Sequence, residues 1–439
     1  MILRPRIICK VSSTAHKCSG LLLVLFIAAG VLTGAELSGG FNEAAVREAA
    51  MAGDVQAQLL LGTYYFNKGS GAAETDLERA CHWFRQAAKA EHPEGYYNLA
   101  VCLEHGFGTP QNTAEALELY RKAGEAGLLP ARLQWAILTI NTSGDTEKAT
   151  KTIEDLAAAS YPPAQNYLGE LALQQAAEIS TTSPSQAEEL LDKGEDLFIK
   201  AAGTGYVPAC SNAARQLLSR SRAGQTDRER AGLARIFLQK AADSNDSDSM
   251  AQLAFCIENG IGSDDGGDVT AAKKLYQQAA ELGNPGAILR IGEFILAGSE
   301  AEPSDPEKAF EYFQKAAASG NPAAALRVGM CYAEGIGTTR DAVKAADRFL
   351  IAARAEIPEA QFNLACLFFK GDGIPKDPDA AYYWFKRAAG NGDIQACKQV
   401  AYCCFYGIGT KQDEQEGIKW LMQAARDGDE EAKKLLTGE

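Results

Sequence analysis

An alanine pair recurs along most of the chain, and its regular spacing limits the possible folds more than any other feature. Successive pairs are separated by 35 to 43 residues. A repeat of this length is one supersecondary unit that cannot bury its apolar face alone, so neighbouring units must stack. We therefore expect one array of repeats and not several unrelated domains. The ten pairs begin at Ala87, Ala123, Ala158, Ala201, Ala241, Ala279, Ala316, Ala352, Ala388 and Ala424, and Gly124 is the one second residue that is not alanine.

A unit near the C-terminal end shows why each repeat is predicted to be two antiparallel helices. Residues 358–371 begin with proline, whose missing N–H has no partner at a helix start, and end on glycine, which favours a left-handed C-cap. Residues 377–393 begin with an aspartate N-cap and end at glycines. Small alanines allow the helices to approach closely, and an aromatic residue three positions earlier is expected to fill the remaining space. This aromatic is Phe84, Tyr120, Phe198, Tyr276, Phe313, Phe349 or Phe385 in seven of the units.

Six stretches share a further pattern, LGTYYFNKG, LAVCLEHGFGT, LAFCIENGIGS, VGMCYAEGIGT, LACLFFKGDGI and VAYCCFYGIGT, each followed by a helix that ends in an alanine pair. They resemble the Sel1-like repeats, relatives of tetratricopeptide repeats with a Gly-x-Gly loop between their helices. The resemblance covers residues 43–436 and is weaker over residues 130–246, which keep the spacing and lose the Gly-x-Gly. It implies an all-α, right-handed α-solenoid of about ten antiparallel helix-turn-helix repeats, which assembles proteins and performs no chemistry.

The first helices carry a column of polar residues, two positions before a central glycine or alanine, that folding alone does not require. Amides donate to and accept from a peptide backbone, and arginine binds a carboxylate with two parallel bonds. By the resemblance to tetratricopeptide proteins, a position like this one holds extended peptides. We therefore predict a partner-binding concave face, with a solvated face beside buried leucines as the alternative. The predicted face comprises Asn98, Gln134, Asn212, Gln252, Arg290, Arg327, Asn363 and Gln399, with Tyr97 and Phe362 as apolar neighbours.

The chain lacks the sequence motifs of familiar enzymes. It has four histidines, none of them in an HExxH motif, and it has no GxxxxGK[ST], GxSxG or CxxC pattern. Its formal net charge of −14 disfavours nucleic-acid binding, because phosphate neutralisation needs clustered Lys and Arg. We therefore expect a non-catalytic scaffold or adaptor with no cofactor and no metal site. Its partner is expected to be another protein or an extended peptide, and not nucleic acid.

The first 35 residues have the arrangement of a secretory signal: basic residues, an apolar run and a small-residue cleavage site at Thr33-Gly34-Ala35. The apolar run from Gly20 to Leu32 has 13 residues, whereas a membrane-spanning helix needs roughly 20. Cleavage after Ala35 is therefore favoured over an uncleaved anchor or a buried N-terminal helix. The predicted organisation is a signal peptide at residues 1–35, an N-terminal capping helix at 36–53, one solenoid at 54–429 and a C-terminal cap at 430–439.

Export determines the expected location. The mature protein is predicted to be periplasmic or secreted, in a bacterial-type cell envelope, with no membrane span after signal removal. The alternative function is that of an envelope enzyme or inhibitor acting on cell-wall or glycan ligands. Aromatic stacking surfaces on the concave face would favour the glycan alternative, and the column of amides and arginines favours a peptide.

Nine of the eleven cysteines follow the leader. Cys102, Cys256, Cys331 and Cys403 share one column, where a small buried apolar residue is expected. Neighbouring columns stand about 10 Å apart, whereas a disulfide needs Cα atoms within roughly 7 Å, so this column cannot bridge along itself. Cys81 and Cys102 lie about equally far from the turn between their helices and so at the same height. They are a possible disulfide, with two separate buried thiols as the alternative.

Overall fold

The computed structural model describes residues 42–69, 74–142, 145–220, 225–263, 265–299 and 303–437. Every regular element in these ranges is a helix, 22 in all, which confirms the predicted all-α class. The predicted signal peptide, residues 1–35, lies outside the described residues. The chain divides into two compact units, of which the first ends at Thr204 and the second begins at Gly205.

The first unit consists of one leading helix and four helical hairpins. Its helices are α1 (Glu43–Met51), α2 (Val55–Gly69), α3 (Glu74–Lys89), α4 (Pro93–His105), α5 (Thr113–Glu125), α6 (Leu129–Asn141), α7 (Thr146–Ala158), α8 (Pro162–Ile179) and α9 (Pro184–Gly203). From α2 onward each even-numbered helix packs against the helix that follows it. Gly62 lies against Phe84 and Gly69 against Leu77, so α2 and α3 run antiparallel.

The second unit continues the same plan with six hairpins and a closing helix. Its helices are α10 (Val207–Ser219), α11 (Gln225–Asp243), α12 (Ser247–Glu258), α13 (Val269–Glu281), α14 (Pro285–Ala297), α15 (Pro306–Ala318), α16 (Pro322–Glu334), α17 (Ala342–Arg354), α18 (Pro358–Lys370), α19 (Pro378–Gly390), α20 (Ile394–Tyr406), α21 (Glu414–Arg426) and α22 (Glu430–Thr437). The short helix α22 packs on α21. The described residues thus contain ten hairpins, as the ten alanine pairs predict.

The predicted start and stop signals set the ends of the helices. Helix α18 ends at Gly371, which takes the left-handed conformation with φ 70°. Helix α19 begins after Asp377, whose carboxylate accepts a hydrogen bond from the Ala380 N–H at 2.9 Å. The predicted hairpin over residues 358–393 is therefore confirmed.

In the seven hairpins that have the predicted aromatic residue, its ring and the small residues that face it form the core. Phe313 and Phe349 are 1% and 2% exposed. A Cβ at Gly292 would stand 2.7 Å from the Phe313 ring, and one at Gly329 would stand 2.6 Å from the Phe349 ring. Glycine is therefore required at these two positions, where the ring on the second helix approaches the backbone of the first.

The third alanine pair differs from the sequence prediction. Ala158 and Ala159 are exposed, and the buried residues at the equivalent position are Leu156 and Ala157. A backbone hydrogen bond at the turn after the second helix identifies the equivalent residues. In other hairpins its acceptor is the carbonyl of the first alanine of the pair, and here the Tyr161 N–H donates to the Leu156 carbonyl. Two further alanines at the end of α7 concealed the shift in the sequence.

Each Gly-x-Gly loop joins the two helices of its own hairpin and packs against the hairpin before it. Gly335 ends α16 in the left-handed conformation, with φ 78°. The second glycine packs against the start of the preceding second helix: a Cβ at Gly337 would overlap the carbonyl oxygen of Pro306, and one at Gly262 would lie 2.6 Å from the carbonyl carbon of Ala231. The first glycine is thus required by the turn and the second by a contact between repeats.

Candidate functional site

The predicted polar column keeps one register through the fold. Each of its eight residues is the sixth residue of an even-numbered helix. Asn98 and Gln134 lie in the first unit, and the other six lie on successive first helices of the second unit. The repeat spacing therefore places these side chains at equivalent positions, and their surroundings decide what each one can bind.

Asn98 and Tyr97 lie in the interior of the first unit. Each is 1% exposed, and the Tyr97 ring packs against Tyr120 with a centroid distance of 5.7 Å. Neither the amide nitrogen nor the amide oxygen of Asn98 has a hydrogen-bond partner among the described residues. Because so little of either side chain reaches the surface, these two residues offer no exposed surface on which a partner could dock.

Arg290 and Arg327 already bind carboxylates of the chain itself. Arg290 pairs with Glu258, and it also donates to Glu293 at 2.7 Å. Arg327 donates to the other oxygen of Glu293 at 2.7 Å and 3.0 Å. The Arg290 guanidinium also lies 4.6 Å from the centre of the Phe294 ring. These contacts join α12, α14 and α16, so the two arginines connect repeats.

Four amides of the column remain available for an external ligand. Gln134, Gln252, Asn363 and Gln399 are half-buried, and none makes a hydrogen bond within the part of the chain that the structure describes. Asn212 differs, because its side-chain oxygen accepts a bond from Arg215 at 3.3 Å. The donors and acceptors of the four amides can therefore pair with a peptide backbone or with other polar groups.

A shallow cleft of about 350 Å³ lies beside Gln252. Its wall includes Asp248 and the helix caps Asn284 and Asn321. The Asn284 amide donates to Asp248 at 2.6 Å, so this side of the cleft is held by a contact between repeats. Gln252 is therefore the column amide that lies in a concave part of the surface.

Aromatic side chains surround the C-terminal end of the column. The predicted neighbour Phe362 is half-buried and packs on Phe385 at 5.5 Å between ring centroids. Tyr402 and Tyr406 are 45% and 67% exposed, with ring centroids 4.7 Å apart, and Tyr402 also contacts Phe369. The sequence analysis missed these tyrosines, although they follow Gln399 by three and seven residues and so share its helix face.

The structure brings Cys81 and Cys102 into contact as free, buried thiols. The hydrogen bond from Cys102 and the charge of Arg85 lower the pKa of Cys81 to about 7. The same bond and burial raise the pKa of Cys102. The predicted column of Cys102, Cys256, Cys331 and Cys403 is buried, with at most 3% exposure.

The described residues hold neither a metal-binding cluster nor a membrane-spanning helix. No group of three or more His, Cys, Asp or Glu side chains in these ranges could hold a metal ion. None of the described helices combines the length and the apolar character that a membrane crossing requires.

The repeated hairpins, their alanine and aromatic core and their Gly-x-Gly loops define a repeat scaffold related to the tetratricopeptide proteins. Eight of the ten hairpins match the Sel1 repeat, over about two thirds of the chain, and the chain belongs to the Sel1 repeat family. The matches cover residues 55–92, 93–128, 209–246, 247–284, 285–321, 322–355, 358–393 and 394–429.

Proteins similar to this chain occur in a yeast, a mammal and a bacterium. Chitin synthase regulatory factor 3 of Schizosaccharomyces pombe is 25% identical over 288 residues, which are 58% of this chain and 31% of that protein. The mouse DAP3-binding cell death enhancer 1 is 29% identical over 221 residues, 49% of this chain and 33% of that protein. The chain thus spans about a third of the length of these relatives. The crystal structure of c5321, a protective antigen of uropathogenic Escherichia coli, is 22% identical with a TM-score of 0.47 and covers 90% of this chain and 89% of that one.

Proposed function

We propose that this protein is a non-catalytic scaffold that binds an extended peptide segment of a partner protein along the polar column of its second unit. The observation that carries the proposal is the set of three half-buried amides, Gln252, Asn363 and Gln399, that make no hydrogen bond within the described residues. A half-buried amide loses part of its hydration, so a ligand that pairs with it replaces that lost hydration with hydrogen bonds.

An extended peptide suits this arrangement. Its backbone offers a donor and an acceptor at each residue, and a side-chain amide can satisfy both. Asn363 and Gln399 lie at the same position of the successive first helices α18 and α20, as the backbone groups of an extended ligand repeat along its length. Gln252 holds that position on α12, with α14 and α16 between it and Asn363. The two arginines contribute by holding α12, α14 and α16 together and not by binding the peptide, because Glu258 and Glu293 occupy their guanidinium groups.

Site-specific crosslinking in the full-length protein tests the proposal. A photo-crosslinking amino acid at Asn363 should capture a partner in cells, and the same amino acid at the exposed Gln314 of α15 serves as the control. The partner captured at Asn363 alone is then purified for binding measurements. If Asn363 and Gln314 capture the same proteins in equal amount, the column is a solvated face.

The binding measurement uses two matched triple variants. Replacement of the three column amides by alanine should weaken the affinity for the purified partner at least tenfold. The control replaces Gln277, Gln314 and Gln415, which are exposed on second helices. Surface changes of this kind alter stability by about 0.5 kcal/mol or less each, so circular dichroism should show both variants folded. Equal affinity of the two variants would contradict the proposal.

We also propose that the protein is exported to a bacterial-type cell envelope, where it is periplasmic or secreted. The apolar run from Gly20 to Leu32, followed by Thr33-Gly34-Ala35, supports this. N-terminal sequencing of protein recovered from cells should find Glu36 as the first residue. Recovery of the uncleaved chain in the membrane fraction would show that the leader is an anchor.

A glycan ligand is the second candidate, and the exposed pair Tyr402 and Tyr406 favours it. Sugar rings stack on exposed aromatic faces, and Phe369 extends this surface to the neighbouring first helix. A cell-wall fragment that binds the wild-type protein, and binds at least tenfold more weakly to the Tyr402→Ala, Tyr406→Ala variant, would support an envelope inhibitor or glycan-binding role. Tyr383→Ala, a change at a 51% exposed tyrosine on α19, is the control.

A further inference from the structure

A second, separate cleft lies in the first unit, between the second helices α5 and α7. Its volume is about 440 Å³, and residues of α6 also line it. The side chains that matter for its chemistry are Arg121, Glu125, Arg132, Trp135 and Lys148. Helices α6 and α7 belong to residues 129–208, which the Sel1 repeat does not match.

Gly124 stands where the other hairpins have alanine, and the absence of a methyl group there makes room for one wall of this cleft. In the other hairpins the second residue of the buried pair is alanine. A Cβ at Gly124 would lie 2.8 Å from the Arg132 Cγ and 3.3 Å from the Arg132 Cα. The missing methyl group therefore allows the Arg132 side chain to cross α5, and Gly124 itself lines the cleft.

The cleft is positively charged in an acidic chain. Three cations line it, Arg121, Arg132 and Lys148, against one carboxylate, Glu125, which gives a formal charge of +2. Arg121 is neutralised by Glu118 at 2.6 Å and Glu125 at 2.5 Å. Arg132 and Lys148 have no carboxylate within 4.0 Å among the described residues.

An aromatic surface lines the same cleft as the two unpaired cations. Trp135 is half-buried, and the Lys148 ammonium lies 5.7 Å from the centre of its ring. Tyr120 closes the inner side and donates its hydroxyl hydrogen to Glu104 at 2.7 Å. A ligand in the cleft therefore meets an aromatic face together with two cations that have no carboxylate partner.

We propose that this cleft binds an acidic segment of a partner polypeptide, with Asp or Glu carboxylates on Arg132 and Lys148 and an apolar side chain on Trp135. The Arg121–Glu125 pair shows that a carboxylate fits a guanidinium in this wall. A singly charged carboxylate suits the site better than a doubly charged phosphate, because Glu125 repels the second charge. This site is separate from the three column amides of the second unit, and it adds a requirement for acidic residues to the ligand of the proposed scaffold.

The test titrates the full-length protein with a labelled peptide of alternating Glu and Leu, blocked at both ends, and follows fluorescence anisotropy. The wild-type protein should bind it, and affinity should fall with added NaCl, because salt screens exposed charges. The Arg132→Gln, Lys148→Gln variant should bind at least tenfold more weakly. Gly124→Ala should also weaken binding, because its methyl group displaces Arg132 without any change of charge.

The controls distinguish this site from others. Lys315→Gln, Arg348→Gln removes two exposed cations of the second unit and should change the affinity less than twofold, as should the triple variant of the column amides. Failure of the wild-type protein to bind the peptide, or equal binding by the Arg132→Gln, Lys148→Gln variant, overturns the proposal. Displacement of the peptide by equimolar inorganic phosphate would show a phosphate site instead and would also overturn it.

Discussion

Glu293 lies between two arginines of neighbouring repeats, so its neutralisation should weaken the second unit. One carboxylate oxygen accepts two bonds from Arg327, at 2.7 Å and 3.0 Å, and the other accepts a bond from Arg290 at 2.7 Å. Glu293→Gln keeps the size of the side chain, removes both ion pairs and leaves two guanidinium groups facing an amide.

The magnitude follows from the exposure of the partners. The side chains of Arg290 and Arg327 are 36% and 40% exposed, so solvent screens both pairs, and each is worth about 0.5 to 1 kcal/mol. The loss of both should lower the free energy of unfolding of the second unit by about 1 to 2 kcal/mol. Asp372→Asn is the matched control, because it removes one pair whose side chains are 57% and 52% exposed. We expect a change of about 0.5 kcal/mol or less for this control.

Urea unfolding followed by far-ultraviolet circular dichroism measures both changes. The Glu293→Gln difference should shrink in 1 M NaCl, where the Debye length is about 3 Å. A Glu293→Gln variant that unfolds within about 0.3 kcal/mol of the wild type at low salt would refute the argument that the arginines join repeats. In that case Arg290 and Arg327 would again be candidates for binding a partner.

Three further changes test other features of the fold. Glu91 has a left-handed backbone, with φ 59°, so Glu91→Gly should raise the thermal midpoint through a gain of about 0.5 to 1 kcal/mol, and a lower midpoint would contradict this. Gly337→Ala should destabilise the second unit by about 1 to 3 kcal/mol in urea unfolding, because its methyl group overlaps a carbonyl of α15, and a wild-type midpoint would exclude that contact. Protein recovered from an oxidising compartment should contain a disulfide between Cys81 and Cys102, because the thiols touch and the pKa of Cys81, about 7, supplies a thiolate. A non-reduced digest with two separately alkylated peptides would exclude it.

The sequence predicted the features of the fold that depend on local rules. Proline, aspartate and glycine mark the ends of α18 and α19, and the alanine pair with its preceding aromatic marks the core, because helix caps and close helix packing each require particular residues. The shifted pair at Leu156 was concealed because four consecutive residues, Leu156 to Ala159, are all apolar. Periodicity alone could not choose among them.

The chemistry of the site was less predictable, because it depends on contacts between repeats. Asn98 and Asn363 occupy the same position in their helices, yet one is 1% exposed and the other is half-buried. The carboxylates that join Arg290 and Arg327 to the preceding repeat lie 32 and 34 residues earlier in the chain. The repeat pattern in the sequence predicts the position of a residue in its helix. It does not predict the side chains of the neighbouring repeat that the residue contacts.

The second glycine of each Gly-x-Gly loop has a consequence for how a chain of this kind can change in length. A residue inserted between Gly335 and Gly337 would move the loop off the helix that it touches, so these connections should tolerate no insertion. The connections after α6, α8, α10 and α14 lack the motif, and α8, α9 and α11 have grown to 18, 20 and 19 residues, whereas most of the other helices have 13. Deletions and insertions in related chains should therefore accumulate at these four connections, and the Gly-x-Gly hairpins should be gained or lost only as whole units.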